Sequence, residues 1–303
     1  MNHFIEISQL SKPDVTALLK NALLLKNGSI FPQYPAIPLA TLFYENSTRT
    51  RISFDLAAKR LGMPVVNVDI ATSSEAKGES IIDTVKTLAA MGITCFVIRH
   101  KEAGLPIKLA NACGEGIHII NAGDGMHAHP TQAMLDFMTI IEQKPDLSKL
   151  KIAILGDIRH SRVANSLQCL AAKLSVGELS LVAPEQWQPT VVHYGTVTDS
   201  IRDGLAGADV IICLRVQSER FSRGDTLDLT SYRRAYALTK TTVAYAKKEA
   251  MVMHPGPINR SVEIDDEVAD GPQSYILQQV QNGVFMRMAI LSHLISGAVS
   301  SLE

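Results

Sequence analysis

Ser47-Thr48-Arg49-Thr50-Arg51 places three hydroxyls and two guanidinium groups in five consecutive positions. The run follows an apolar stretch, 39–44, and precedes a segment with helical spacing (Ile52, Leu56, Leu61) that stops at Gly62 ahead of Pro64. A strand feeding a helix N-terminus presents unpaired N–H groups and a partial positive charge. Hydroxyls and guanidinium groups in such a turn suit a dianion such as phosphate. A helix cap needs only one hydroxyl. The turn alone is therefore compatible with an anion site or with a cap beside two solvated arginines.

Further candidates share one placement, directly after an apolar run. Arg99-His100 follows 94–98, the stretch Gly123 to Gln132 follows 117–121, and Gly156 to Arg162 follows 151–155. Arg215-Val216-Gln217 follows 209–214, and Pro255-Gly256-Pro257 follows 250–254. Ligands of open α/β sheets bind beyond the carboxyl ends of strands, so these loops are where a site belongs. Arg162 and Arg215, each behind a buried-looking run, are suited to carboxylate or phosphate recognition. His129 and Gln132 are three apart at the opening of a helix and can face one ligand.

His127, His129 and Asp124 are close in sequence, but a zinc site needs three or four ligands and no cysteine or H-E-x-x-H partner accompanies them. No metal is expected. Ser73 and Lys77 lie in a polar stretch, Thr72 to Glu79, that by spacing alone is an ordinary surface loop. The chain has no G-x-G-x-x-G after a strand, no G-x-x-x-x-G-K-[ST] and no G-x-S-x-G elbow. The chemistry therefore calls for neither a redox cofactor nor a covalent enzyme intermediate, and no cofactor is expected. Arg, Thr, His and Gln hold charge and polarise a carbonyl.

The elements that must position these residues are legible as an alternation. Candidate strands are 39–44, 64–69, 94–98, 117–121, 151–155, 178–183, 209–214 and 250–254. Helical patterns lie near 49–61, 79–91, 104–113, 130–143, 161–174, 240–248 and 274–296. Such alternation predicts parallel α/β sheets covered by helices on both faces. Uneven gaps around 209–214 argue against an eight-fold barrel, so two open sheets are expected.

At 303 residues, 46% hydrophobic and 19% charged, the chain has length for two domains with separate cores. Twenty-nine Lys and Arg balance 30 Asp and Glu, so no global field attracts nucleic acid. Cys95, Cys113, Cys169 and Cys213 are widely spaced in apolar contexts, the pattern of buried thiols in a reducing compartment. The N-terminal residues lack a basic and apolar leader, and no apolar run approaches bilayer length. A cytoplasmic protein without membrane or nucleic-acid partners is expected.

Seven segments, in order, resemble the aspartate/ornithine carbamoyltransferase family: Ser47–Arg51, Ser73–Glu79, Arg99-His100, His129-Pro130-Thr131-Gln132, Arg162, Arg215–Phe221 and His254–Pro257. The resemblance implies a domain over 1–132 that binds carbamoyl phosphate, completed by the helix 274–296, and an amino-acid domain over 133–273. It implies that Ser47, Thr48, Arg49, Thr50 and Arg99 hold the phosphate, and that Thr50, Arg99 and His129 point at the carbonyl oxygen. Arg49, Thr50, Arg99 and His129 are the catalytic set by this analogy, and Gln132 with Gly256 and Pro257 would fix the carbamoyl amide.

By the same resemblance Lys77, Arg162, Arg215 and Gln217 would clamp the two carboxylates of aspartate. Ser73 and Lys77 would reach in from a neighbouring chain, which makes a homotrimer the active unit, with or without separate regulatory or dihydroorotase-like chains. Ornithine enzymes resemble H-C-L-P where this chain has His254-Pro255-Gly256-Pro257, and they carry an S-M-G motif not found here. Arg215 is a cation, suited to a second carboxylate and wrong for an ornithine ammonium. The implied reaction carbamoylates the α-amine of L-aspartate, giving N-carbamoyl-L-aspartate and phosphate, an early step of de novo pyrimidine biosynthesis. A non-catalytic anion-binding subunit would lack site motifs, and none is missing.

Overall fold

The computed structural model describes residues 1–28, 30–70, 78–217 and 228–299. In chain order its elements are α1 (Lys12–Asn27), β1 (Leu39–Phe43), α2 (Thr48–Arg60), β2 (Val65–Val68), α3 (Ile81–Ala90), β3 (Cys95–His100), α4 (Leu105–Ala112), β4 (His118–Asp124) and α5 (Pro130–Gln143). There follow β5 (Lys151–Leu155), α6 (Arg162–Lys173), β6 (Glu178–Val182), β7 (Thr196–Thr198), α7 (Ile201–Leu205) and β8 (Val210–Cys213). The remainder is α8 (Leu229–Tyr236), α9 (Lys240–Val243), β9 (Met251–Met253), α10 (Asp266–Ala269) and α11 (Ile276–Val299). The chain divides into two compact units, Met1–Leu135 with Val280–Glu303, and Asp136–Gln279.

The first unit holds a parallel sheet in the order β2-β1-β3-β4. Every residue of β4 is buried. Successive strand side chains point to opposite faces, so both faces of that strand are covered. Ala40, Leu42, Phe96, Ile98 and Ile119 form the sheet's share of the core against Val85, Leu105 and Leu109. Burying one such Phe or Leu side chain contributes about 1.5–3 kcal/mol. The free edge of β4 is bridged by the N-terminal segment, where the Phe4 amide donates to the Ile119 carbonyl at 2.8 Å.

The second unit holds a parallel sheet in the order β7-β6-β5-β8-β9. Its core joins Ala153 and Leu155 of β5 to Ile211 and Cys213 of β8 and Val252 of β9. Both units are thus open parallel α/β sheets with helices beside them, the expected fold class.

Several elements depart from the sequence reading. Helix α1 was not anticipated, although Ser11 and Asp14 form a reciprocal capping box at its start and Val15, Leu18, Leu19 and Ala22 bury one face. The edge strand β7 and helix α8 were also missed. The helix expected over 240–248 ends at Val243, because the Lys247 amide turns away to the Ala208 carbonyl and its Nζ pairs with Asp209 at 2.8 Å. Two of the four cysteines, Cys95 and Cys213, are fully buried, whereas Cys113 and Cys169 are half-buried. Burial pushes the Cys95 thiol up to about 12. Among the described residues no helix is long and apolar enough to cross a membrane.

Candidate active site

In the first unit the chain leaves β1 for β2 on one side and later adds β3 and β4 on the other. The reversal of strand order between β1 and β3 is where an open α/β sheet leaves a crevice at its carboxyl edge. Ser47 occupies the cap position of α2 with extended backbone, yet its side chain makes no capping bond and the first turn contains no acid. At α3 and α6, by contrast, Ser80 and Ser161 each accept from the amide three residues on. The positive end of α2 therefore carries no capping bond from the Ser47 side chain and no acid within its own first turn. Ser47 is half-buried, Thr48 and Arg49 are exposed, and Thr50 is buried.

Arg99 is the next-to-last residue of the neighbouring strand β3, which runs two residues beyond the expected end at 98. Its Nη1 donates to the Ala122 carbonyl at 3.2 Å, and its Nε lies 3.4 Å from Glu45 Oε2. The guanidinium is thereby held between β4 and the turn after β1.

From β4 the chain passes through a turn organised by Asp124, whose carboxylate accepts from Asn121 Nδ2 (2.9 Å), the Gly104 amide (2.7 Å) and the Ala128 amide (3.1 Å). Burial pushes the Asp124 carboxyl up, but these bonds and His127 outweigh it and leave it below its ordinary value. His127 faces Asp124 at 3.0 Å and Glu6 at 3.5 Å. That pairing accounts for His127, and no group of three or more candidate metal ligands exists among the described residues. The turn delivers buried His129, whose carbonyl accepts from the Gln132 and Ala133 amides at the start of α5. Gln132 is buried one turn into the helix.

In the second unit the strand order reverses between β5 and β8. The loop after β5 carries Asp157 and His160, both buried, with His160 Nδ1 at 2.7 Å from Asp157 Oδ1. Burial pushes the Asp157 carboxyl above its ordinary value against the pull of His160. Ser161 caps α6, and Arg162, 4% exposed, is that helix's first residue. A guanidinium and a positive helix end therefore coincide, an arrangement that favours an anion.

The loop after β8 carries Arg215-Val216-Gln217. Gln217 Nε2 donates to the His160 carbonyl at 3.1 Å, and its amide to Asp157 Oδ2 at 3.4 Å. These bonds tie the two switch-point loops together. After β9, the His254-Pro255-Gly256-Pro257 turn is shaped by the Gly256 amide donating to His254 Nδ1 at 2.8 Å. Gly256 adopts φ +68°, the left-handed region that glycine enters without strain.

Each sheet thus brings its own set to its carboxyl edge. The first gathers Ser47, Thr48, Arg49, Thr50, Arg99, His129 and Gln132. The second gathers Arg162, Arg215, Gln217, Gly256 and Pro257. Ser73, Lys77 and the segment 218–221 lie outside the described residues.

Residues 2–142 match the carbamoyl-P binding domain of the aspartate/ornithine carbamoyltransferases, and residues 148–294 match the Asp/Orn binding domain of the same enzymes. The chain belongs to the aspartate/ornithine carbamoyltransferase family. The aspartate carbamoyltransferase catalytic subunit of Legionella pneumophila (strain Lens) is 64% identical, over 98% of this chain and all of the relative. That of Coxiella burnetii (strain Dugway 5J108-111) is 43% identical over 95% of this chain and 94% of the relative. A crystal structure of aspartate transcarbamoylase from Trypanosoma cruzi with carbamoyl phosphate and aspartate superposes with a TM-score of 0.85 at 30% identity, covering 96% of each chain.

The motifs by which the chain resembles this carbamoyltransferase family left some polar residues unassigned. Glu45 beside Arg99, and the Asp157–His160 pair beneath Gln217, received no role from the sequence. The strand-end rule could have found Asp157, since it stands two residues beyond β5. Glu263 sits between Val262 and Ile264 with no such marker.

Proposed function

We propose that the protein is the catalytic chain of an aspartate carbamoyltransferase, with the carbamoyl phosphate half-site in residues 1–132 and the helix 274–296, and the aspartate half-site in 133–273. The observation that carries this reading is that the loop leading to Arg162 and the loop Arg215-Val216-Gln217 meet at the switch point of the second sheet, where Gln217 Nε2 donates to the His160 carbonyl. Two guanidinium groups match the two carboxylates of aspartate in charge and fork geometry. They oppose the second ammonium of ornithine, which would meet like charge.

On this reading Ser47, Thr48, Arg49, Thr50 and Arg99 bind the phosphate. Thr50, Arg99 and His129 face the carbonyl oxygen, and Gln132 with the Pro255–Pro257 turn holds the carbamoyl amide. The aspartate amine attacks the carbamoyl carbon, the C–O bond to phosphate breaks from the tetrahedral oxyanion, and the amine proton leaves with the departing phosphate. The two substrates together carry about four negative charges and repel one another unless cations compensate. Positioning them supplies up to ~7–11 kcal/mol of the acceleration. Each oxyanion donor contributes about 3–4 kcal/mol.

The active unit on this reading is a cytoplasmic homotrimer in which Ser73 and Lys77 of one chain complete a neighbour's site. Separate regulatory or dihydroorotase-like chains are compatible with it. The deciding assay follows phosphate release from carbamoyl phosphate with aspartate or ornithine as acceptor. Release with aspartate alone is expected, and release with ornithine alone, or with neither, overturns the reading. Sedimentation analysis tests the trimer, and a monomer with full activity removes the neighbouring-chain roles.

A further inference from the structure

Glu263 has no solvent-accessible surface and belongs to no strand or helix, yet its carboxylate collects three donors. Oε1 accepts from the Asn259 amide at 2.5 Å and faces His254 Nε2 at 3.3 Å. Oε2 accepts from the Val216 amide at 3.4 Å. Asn259 Nδ2 in turn donates to the Val216 carbonyl at 3.1 Å. Because His254 Nδ1 accepts from the Gly256 amide, the ring proton of the neutral imidazole sits on Nε2 and points at Glu263.

A buried carboxylate is tolerated only where such donors replace water, and losing one leaves a costly unpaired group. The donors here come from two places that matter. Val216 lies between Arg215 and Gln217, and both its backbone polar groups are fastened by Glu263 and Asn259. His254 and Asn259 bracket the Pro255-Gly256-Pro257 turn. Neither Arg215 nor the turn touches Glu263 through its own side chain in any bond described above.

We propose that Glu263 is a positioning residue for both substrates: it holds the aspartate-binding segment 215–217 and the carbamoyl-facing turn 255–257 in fixed relation. The inference rests on the functional reading above. It assigns Glu263 an effect on ligand geometry beyond its effect on stability.

Glu263→Gln separates the two arms. Its single amide oxygen, placed at the Oε1 position, still serves Asn259 and His254, but its NH2 then confronts the Val216 N–H. The opposite orientation sets two donors against donors and is worse. Glu263→Gln should therefore release segment 215–217 while retaining the turn. His254→Asn does the reverse, since its Oδ1 can accept from Gly256 but does not reach Glu263.

The experiment compares kcat and the KM of each substrate in purified wild-type and variant enzymes, with thermal melting to establish the folded state. Glu263→Gln is expected to raise the aspartate KM about tenfold while kcat and the carbamoyl phosphate KM stay within about twofold. His254→Asn is expected to lower kcat about tenfold with the aspartate KM held. A purely structural role would lower the melting temperature and leave both KM values of the folded enzyme unmoved; that result overturns the proposal. Should Glu263→Gln fail to fold, His254→Asn decides alone, and wild-type kcat in it overturns the proposal. A wild-type enzyme inactive with aspartate overturns the functional reading and this inference with it, whereas an active wild type with an unmoved Glu263→Gln overturns the inference alone.

Discussion

Phe43 and Arg99 are register partners on neighbouring parallel strands, and the Tyr44 amide donates to the Arg99 carbonyl at 2.9 Å. The turn after β1 and Arg99, next to last in β3, are consequently fixed side by side by the sheet itself. Backbone pairing places them, and the Ala122 carbonyl and Glu45 orient the side chain. A phosphate at this edge meets donors that need little reordering, which is the condition for electrostatic stabilisation of a developing oxyanion. Arg99→Ala should therefore lower kcat by about 10²–10³. The strand pairing uses only backbone, so thermal melting should change little. Phosphate-release kinetics beside a melting curve check this, and near-normal turnover in Arg99→Ala would sink the assignment.

Arg215→Ala should act on the other substrate. Val216 is anchored at both its N–H and its C=O, so removing the neighbouring guanidinium should leave the loop in place. Loss of one charge-assisted contact should raise the aspartate KM about 10- to 100-fold. The carbamoyl phosphate KM should hold. Steady-state kinetics with each substrate varied in turn give the answer, and an unchanged aspartate KM counts against the carboxylate clamp.

The strands that carry these loops were legible because parallel, doubly covered strands are mostly apolar runs, as β1, β3 and β5 are, whereas β4 is buried throughout yet carries His118, Asn121 and Asp124 and shows an apolar run only in its first half. The two switch points were legible only in part. Sequence reads Arg99 and Arg215 as following strands, whereas β3 runs on through Arg99 to His100. Nor does it show that β3 adds beside β1 or β8 beside β5, because strand order is a long-range property. The short edge strand β7, partly exposed and rich in Thr, has no apolar run to mark it. Helix α9 was overestimated because the residues after Val243 keep helical composition while their backbone is drawn to Ala208 and Asp209. Glu263 was invisible for a different reason: its importance lies in three donors brought together by the fold, two of them backbone amides that no side-chain pattern records.

The Asp124–His127 pair beneath the His129 turn should show in the pH dependence of stability. The hydrogen bond to Asp124 holds the His127 ring above its ordinary value of 6.5, although burial opposes it. A group raised in the folded state contributes stability that is fully present below its unfolded value and is lost as pH rises through the folded one. Asp124 is held below its ordinary 3.8, so its contribution is present above that value and is lost as pH falls through the folded one. The pair therefore works between these limits. The melting-temperature gap between wild type and His127→Ala should be widest between the two ordinary values, 3.8 and 6.5, and shrink as pH rises through the raised His127 value. The ring is 41% exposed, so added salt should narrow the gap as well. A gap that stays flat across this range would remove the ion pair from the stability of the turn.

Gly156 tests how closely the two loops of the second sheet are packed. It adopts φ +127°, and a Cβ there would lie 2.8 Å from the Leu214 carbonyl oxygen and 3.3 Å from Tyr232 Oη. The first contact is with backbone, so it cannot be relieved by a rotamer change. Leu214 immediately precedes Arg215, and Gly156 immediately precedes Asp157, which holds the Gln217 amide. Gly156→Ala should thus force the loops after β5 and β8 apart. The backbone strain should cost about 1–3 kcal/mol. For a domain of this size that lowers the melting temperature by about 2–4 °C per kcal/mol. Because the displaced segment carries Arg215 and Gln217, the aspartate KM should rise in the fraction that remains folded, while carbamoyl phosphate affinity holds. Urea unfolding and steady-state kinetics on the same preparation read both effects. A stability loss without any change in aspartate KM would mean that the loops separate without moving the cations, and that the register of Arg215 is set from the Glu263 side alone.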